Sequence, residues 1–272
     1  MEKLADGRDP VIPDYLQIEL NKTDWRQLQT AIGTGEELPA NINGLLTGDD
    51  RIAEKCAERI RWSVCAHGGY YDAAYATATV LARILPVAKE PQRLLALLYK
   101  IMSQPALRTD GYAELVSSLV FLAPQLRQWA VAPDHVMARQ AQHILMHAGQ
   151  GMPGTEMLFR QEWQDATHPP ERRAYALFCL GRLYEIEEAY GKMRNHFIEA
   201  YQQEPLALLR TIMAIFLVRD AEARSDVSWT DTIIQALAEP DTLKGLDLVE
   251  IFTGYDVAGF LEMLLDDANV KR

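Results

Sequence analysis

Cysteine is scarce in this chain: Cys56, Cys65 and Cys179 are the only three in 272 residues. An odd, scattered set excludes a disulfide framework. Cys56 and Cys65 have no second Cys or His pair at metal-ligand spacing, so all three read as small hydrophobes in a reducing compartment. Long hydrophobic runs are also missing. The longest apolar stretches, 174–180 and 211–218, are too short to span a bilayer. Residues 1–10 carry Glu2, Asp6 and Asp9 without an apolar stretch, unlike a secretion signal. The expectation is a cytoplasmic protein with no membrane partner. Convincing alternation of apolar and polar residues is absent too, so no sheet is expected.

Catalytic signatures are equally sparse. There is no Gly-x-Ser-x-Gly elbow, and neither the phosphate-loop nor the dinucleotide spacing of glycines occurs. His67-Gly68-Gly69 has no strand before it; its glycines read as a helix stop and His67 as a cap on the last carbonyls. His143 and His147 stand four apart and share a helical face, as a metal-binding pair would. No Glu follows the first, and only His135 offers a third ligand nearby, so the pair reads as a surface or interface feature. No metal, no cofactor and no catalytic residue are expected.

Positive charge is in deficit. The chain has 27 Lys and Arg against 38 Asp and Glu, a formal charge of −11. From residue 220 onward there are twelve acids and four bases, a net −8, which leaves −3 for the first 219 residues. Such an end repels nucleic acid and anionic membranes and steers basic proteins toward itself. It also serves as the polar cap that a helical repeat array needs.

What the chain does have is helical periodicity. After an irregular segment, 1–22, helices are expected at 23–32, 36–46, 49–66, 71–85, 91–103, 110–129, 133–148, 154–165, 170–188, 192–202, 205–223, 231–238, 241–252 and 256–267. Capping residues or a first-turn Pro mark several starts, at Asp49-Asp50, Asp110, Pro133-Asp134 and Pro240-Asp241. Gly68, Gly149 and Gly191 read as stops. In 49–66, Ile52, Cys56, Ile60 and Val64 advance by four beside Ala53 and Ala57, while Arg51, Lys55, Glu58, Arg59 and Arg61 take the other face. The next helix has a stripe of small residues, Ala74, Thr77 and Ala78, continuing to Leu81 and Leu85. Helices of this length, with short loops and degenerate repeats of about 35–45 residues, predict an all-α fold: a HEAT-like α-solenoid of stacked antiparallel helix pairs, forming one domain over 1–272 with 220–272 as its acidic cap. Leu177, Leu180-Gly181, Tyr184, Phe197, Ala200 and Pro205 fall at the spacing of one tetratricopeptide hairpin, with Gly181 permitting a close crossing and Tyr184 filling the gap beside it.

Residues 24–85 resemble a bacterial HEAT-like repeat family. The resemblance rests on Trp25-Arg26-Gln27-Leu28, Gly33, Leu38-Pro39, Leu45-Leu46, Trp62 and the turn Ala66-His67-Gly68-Gly69-Tyr70-Tyr71-Asp72-Ala73-Ala74. The family's turn reads His-Gln-Gly-Thr-x-Tyr-Glu-Ala-Thr; here Ala66 replaces its leading His, His67 its Gln, Gly69 its Thr and Asp72 its Glu. Many members are held to be immunity partners of secreted polymorphic toxins. The resemblance therefore implies a non-catalytic protein that binds and neutralises one cognate toxin. A basic toxin, such as a nuclease, would match the acidic end.

Asp226, Trp229, Asp231, Tyr255 and Asp256 are the first candidates for that contact, since an aromatic flanked by acids can anchor a basic partner. Tyr70, Tyr71 and Asp72 form a second candidate cluster. Two other readings stand beside this one. A general helical-repeat scaffold would dock several partners. A helical-repeat enzyme, such as a DNA glycosylase or lyase, would need a basic groove; Arg51, Lys55, Arg59 and Arg61 lie on one helix, but the chain is acidic.

Overall fold

The apolar stripes fold into helices that bury them against one another, and the chain is all-α. The computed structural model describes residues 14–66, 71–88, 90–103, 111–152, 154–249 and 256–268. They divide into two compact units, Met1–Leu126 and Arg127–Arg272.

The first unit contains α1 (Asp14–Asn21), α2 (Leu38–Thr47), α3 (Asp50–Cys65), α4 (Asp72–Ile84), α5 (Pro91–Met102) and α6 (Gly111–Val120). The division falls within α7 (Ala123–Ala130). Helix α4 is the centre of this unit, packing on α1, α3, α5 and α6. It can do so because much of it is narrow: Ala73, Ala74, Thr77, Ala78 and Ala82 are all buried, with Tyr75, Leu81 and Ile84 among its larger groups. Helix α3 is pinned at its start by Asp49, whose carboxylate accepts from Ile52 N at 2.9 Å. Cys56, Ile60 and Val64 of its expected stripe are buried, with Ala53 beside them, while Ile52 at the start of the stripe is only half-buried.

Three expectations fail here. Residues 14–21 are helical, not irregular. Helix α1 buries Leu16 and Leu20, and Glu19 accepts from Arg83 of α4 at 2.7 Å. Residues 23–32 are not a helix. They form a short 3-10 turn, Trp25–Gln27, and one strand of a two-residue hairpin, in which Gln29 pairs with Thr34 and Thr30 with Gly33. So short a segment cannot nucleate a helix alone. Instead Gly33 takes φ +139°, open only to glycine, and the indole of Trp25 is buried, donating to Leu20 O at 2.8 Å. Nor is 110–129 one helix. It breaks between α6 and α7 because Pro124 lacks the N–H for the ladder and its ring would clash with the preceding turn.

The second unit holds α8 (His135–Ala148), α9 (Thr155–Gln164), α10 (Pro170–Ile186), α11 (Tyr190–Gln203), α12 (Ala207–Arg219), α13 (Val227–Ala238), α14 (Pro240–Val249) and α15 (Val257–Asp267). Its central helix is α10, which packs on α8, α9, α11, α12 and α14. The predicted hairpin of α10 and α11 is present, with Leu177, Leu180, Gly181, Tyr184 and Phe197 buried. Gly181 faces the ring of Phe216 on α12, so the close crossing is with α12; a Cβ there would lie 2.4 Å from the ring. Gly191 does not stop a helix. It lies inside α11, and α10 ends at Ile186, with Glu188 just beyond it in the left-handed conformation at φ 55°. There Ala189 N donates to Tyr184 O at 2.8 Å, closing the turn.

Gly181→Ala is expected to lower unfolding free energy by about 1–3 kcal/mol, because the added methyl overpacks a full core. Gly191→Ala, whose Cβ meets nothing within 4 Å, should be neutral or slightly stabilising. Urea unfolding of both variants measures the contrast.

Candidate partner-binding surface

The acidic end is built from α13, α14 and α15, which pack on one another and on α12. Asp226 is exposed and caps α13. Its carboxylate accepts from Ser228 N at 2.9 Å and from the Ser228 hydroxyl. These hydrogen bonds hold its carboxyl below the usual aspartate range. The cap starts α13 at Val227, one turn earlier than the expected 231. Asp256 caps α15 in the same way, accepting from Gly259 N at 2.7 Å. Both acids are committed to helix starts, though their outer faces remain wet.

Trp229 is not an exposed anchor. It is 4% exposed, packs edge-on against Tyr201 with ring centroids 4.9 Å apart, and donates to Ala223 O at 3.0 Å. The earlier start of α13 turns it inward. Asp231 is exposed, mid-helix and caps nothing. Tyr70 and Tyr255 lie outside the described residues, as do His67, Gly68 and Gly69. Tyr71 is half-buried at the start of α4, and Asp72 is exposed in its first turn, where an acid favours the helix dipole.

Two apolar residues escaped the sequence reading. Val227 is 69% exposed and Ile234 41% exposed. With Asp231 they stand at i, i+4 and i+7, one outward stripe on α13. The spacing was legible, but only once the helix was known to begin at 227. Glu239, Asp241, Asp247, Glu262, Asp266 and Asp267 are exposed on or beside the same three helices. Asp220, by contrast, is buried and structural: it accepts from Arg194 Nε at 2.9 Å and from Ala223 N at 2.9 Å.

Ionisable groups also converge elsewhere in the second unit. The Tyr184 hydroxyl accepts from Arg160 at 2.9 Å, donates to Glu156 at 2.9 Å, and stands 3.4 Å from His196 Nδ1. Lys192 closes the group by pairing with Glu156. Burial pushes the Tyr184 phenol up to about 12. Burial, aided by the cation of Arg160, brings His196 down to about 4, so it is neutral at pH 7. The group ties α9, α10 and α11 together. A second knot is deeper. Arg172 clamps the Glu162 carboxylate at 2.7 and 3.0 Å and donates to Ala132 O at 2.8 Å. Gln142 joins Ala130 O at 2.9 Å and Glu162 at 3.4 Å.

His143 and His147 do share a helical face, with ring centroids 5.4 Å apart. His143 Nδ1 pairs with the Tyr175 hydroxyl at 2.9 Å. His147 is buried, and burial holds its pKa well below the usual histidine value. Among the described residues, no three His, Cys, Asp or Glu side chains are grouped to hold a metal ion, and no helix is long and apolar enough to cross a membrane.

Arg172→Ala would strand the buried Glu162 carboxylate and should cost about 3–5 kcal/mol. Asp50→Ala removes an exposed partner of Arg93 and should cost under about 1 kcal/mol. Both are read from denaturant midpoints. Because the folded protein holds His196 neutral down to about 4 while an unfolded histidine takes up a proton near 6.5, stability should fall as pH drops from 6.5 toward 4. Denaturant midpoints across that window should decline less steeply in His196→Gln. The chain matches no protein-family model, no curated protein and no solved structure.

Proposed function

We propose that this chain is a HEAT-like α-solenoid of stacked antiparallel helix pairs that binds and neutralises a basic secreted toxin without catalysis. The resemblance of residues 24–85 to repeat proteins of that role supports the reading. The observation that carries it is the outward stripe of Val227, Asp231 and Ile234 on α13, set in the acidic end. Exposed aliphatic groups supply contact area for a partner, and the surrounding acids steer a basic one and fix its orientation. The stripe takes over the anchoring role first assigned to Trp229. The ionisable groups of the second unit are paired into knots between helices, and this reading gives them structural work.

A multi-partner scaffold is the second reading. A separate exposed surface on α3, with Trp62 at its end, favours it.

The test pairs the chain with the product of a neighbouring gene that carries a toxin domain. Co-expression should rescue growth, and the two purified proteins should form a 1:1 complex. Asp231→Lys is the clean charge variant, because it disturbs no cap. It should slow association several-fold in low salt, and the loss should shrink as salt rises. Asp226→Asn keeps a capping side chain and should fold normally. A toxin that stays active when the chain is in excess would end the proposal; several weak partners and no tight one would favour the scaffold.

A further inference from the structure

Two buried donors in the second unit are left out of its knots. The indole nitrogen of Trp163 and the Nε of Arg160 are both screened from water, and neither has a hydrogen-bond partner among the described residues. Trp163 as a whole is 5% exposed. A buried N–H without an acceptor costs stability, and native proteins seldom leave one so. Here there are two, three residues apart on α9 and so on one face of that helix.

Both donors border the same side chains. Arg160 reaches the Tyr184 hydroxyl at 2.9 Å. That hydroxyl lies 3.4 Å from His196 Nδ1, and the His196 ring stands 5.9 Å from the Trp163 ring, centroid to centroid. The charges that act on His196 are Arg160 and Lys192 against the carboxylate of Glu156, two cations against one anion. Glu199, three residues beyond His196, is exposed to water, where its field is weak. The other inward charges nearby are already matched, Arg172 with Glu162 and Arg173 with Glu204.

We propose that Arg160 Nε and Trp163 Nε1 together hold a small monovalent anion, of the size of chloride, between α9 and α11. A water is the poorer occupant. It would accept from these N–H groups but must also place its own two O–H groups. The acceptors nearest to it, the Glu156 carboxylate and the Tyr184 oxygen, already receive Lys192, Tyr184 and Arg160. An anion needs donors alone, and the local excess of positive charge offsets the cost of burying it. Because that excess is a single charge, a divalent anion would leave negative charge buried without a partner. A carboxylate carried by another protein does not reach nitrogens that are covered on all sides. The ion fastens α9 to α11 and takes no part in the partner contact proposed for α13.

Heteronuclear NMR of the indole N–H groups in the full chain is the measurement. Sodium chloride replaces sodium methanesulfonate, whose anion is too large for the site, at constant ionic strength. The indole resonance that is missing from Trp163→Phe should shift with chloride and saturate, while the other indoles stay in place. The thermal midpoint of the wild type should rise by a few degrees on the same exchange of anions, and that rise should be lost in Trp163→Phe. The sign of the variant's stability change is a second readout, because phenylalanine keeps an apolar ring and removes the N–H. With the anion bound, Trp163→Phe is less stable than wild type, and the deficit is larger in chloride. A Trp163 resonance that chloride does not move overturns the inference. So does a variant more stable than wild type in both salts, which is what removing an unpaired buried donor gives. An equal loss in both salts, as a bound water or lost packing would produce, overturns it as well.

Discussion

Each unit depends on one helix that is enclosed by its neighbours. Helix α4 packs chiefly on α1, α3, α5 and α6, and α10 on α8, α9, α11, α12 and α14. A helix in that position must be apolar nearly all round, and narrow where its neighbours come closest. Alanine and threonine make α4 narrow; Ala174, Ala176 and Gly181 do so along α10. Close approach brings many atoms to van der Waals distance, where attraction accumulates. It also leaves no room for change, which is why the ring of Phe216 fills the space where a side chain at 181 would go.

Polar chemistry follows from that packing. Helices this close leave little water between them, so every charge carried inward needs a partner. Arg172 and Glu162 satisfy each other and reach back to the loop before α8 through Ala132. Arg173 and Glu204 form a comparable pair at 3.1 Å. Tyr184, Arg160, Glu156 and His196 share one network because α9, α10 and α11 meet there. These groups have the residue types of an active site, but their hydrogen bonds point at one another. The exposed groups differ in kind. On α13, the apolar side chains of Val227 and Ile234 stand in water beside Asp231, which is the composition of a contact surface.

Much of the secondary structure was legible in the chain. The four-residue advance of Cys56, Ile60 and Val64, with charges opposite, specifies α3 and its buried side without further information. Aspartates ahead of apolar stripes mark the starts of α3, α8 and α15. Reading failed where a local signal was short or ambiguous. Residues 23–32 have a helical look, yet Gly33 and the burial of Trp25 draw them into a turn and hairpin. Pro124 was a visible breaker inside a pattern that otherwise ran on. For α13, the helix expected from residue 231 begins one turn earlier, because the Asp226 side chain caps it.

The candidate surface was less legible than the fold, for a physical reason. Sequence by itself determined the charge imbalance, the helical period and the place of the acids along the chain. Those properties are local or additive. Only the tertiary structure decided which side of each helix faces water. It turned Trp229 into the core against Tyr201, left Val227, Ile234 and Trp62 outside, and joined Arg172 to Glu162 across two helices. Side-chain direction depends on where a helix begins and on what packs against it, and a shift of one turn at α13 was enough to exchange an expected anchor for a different one.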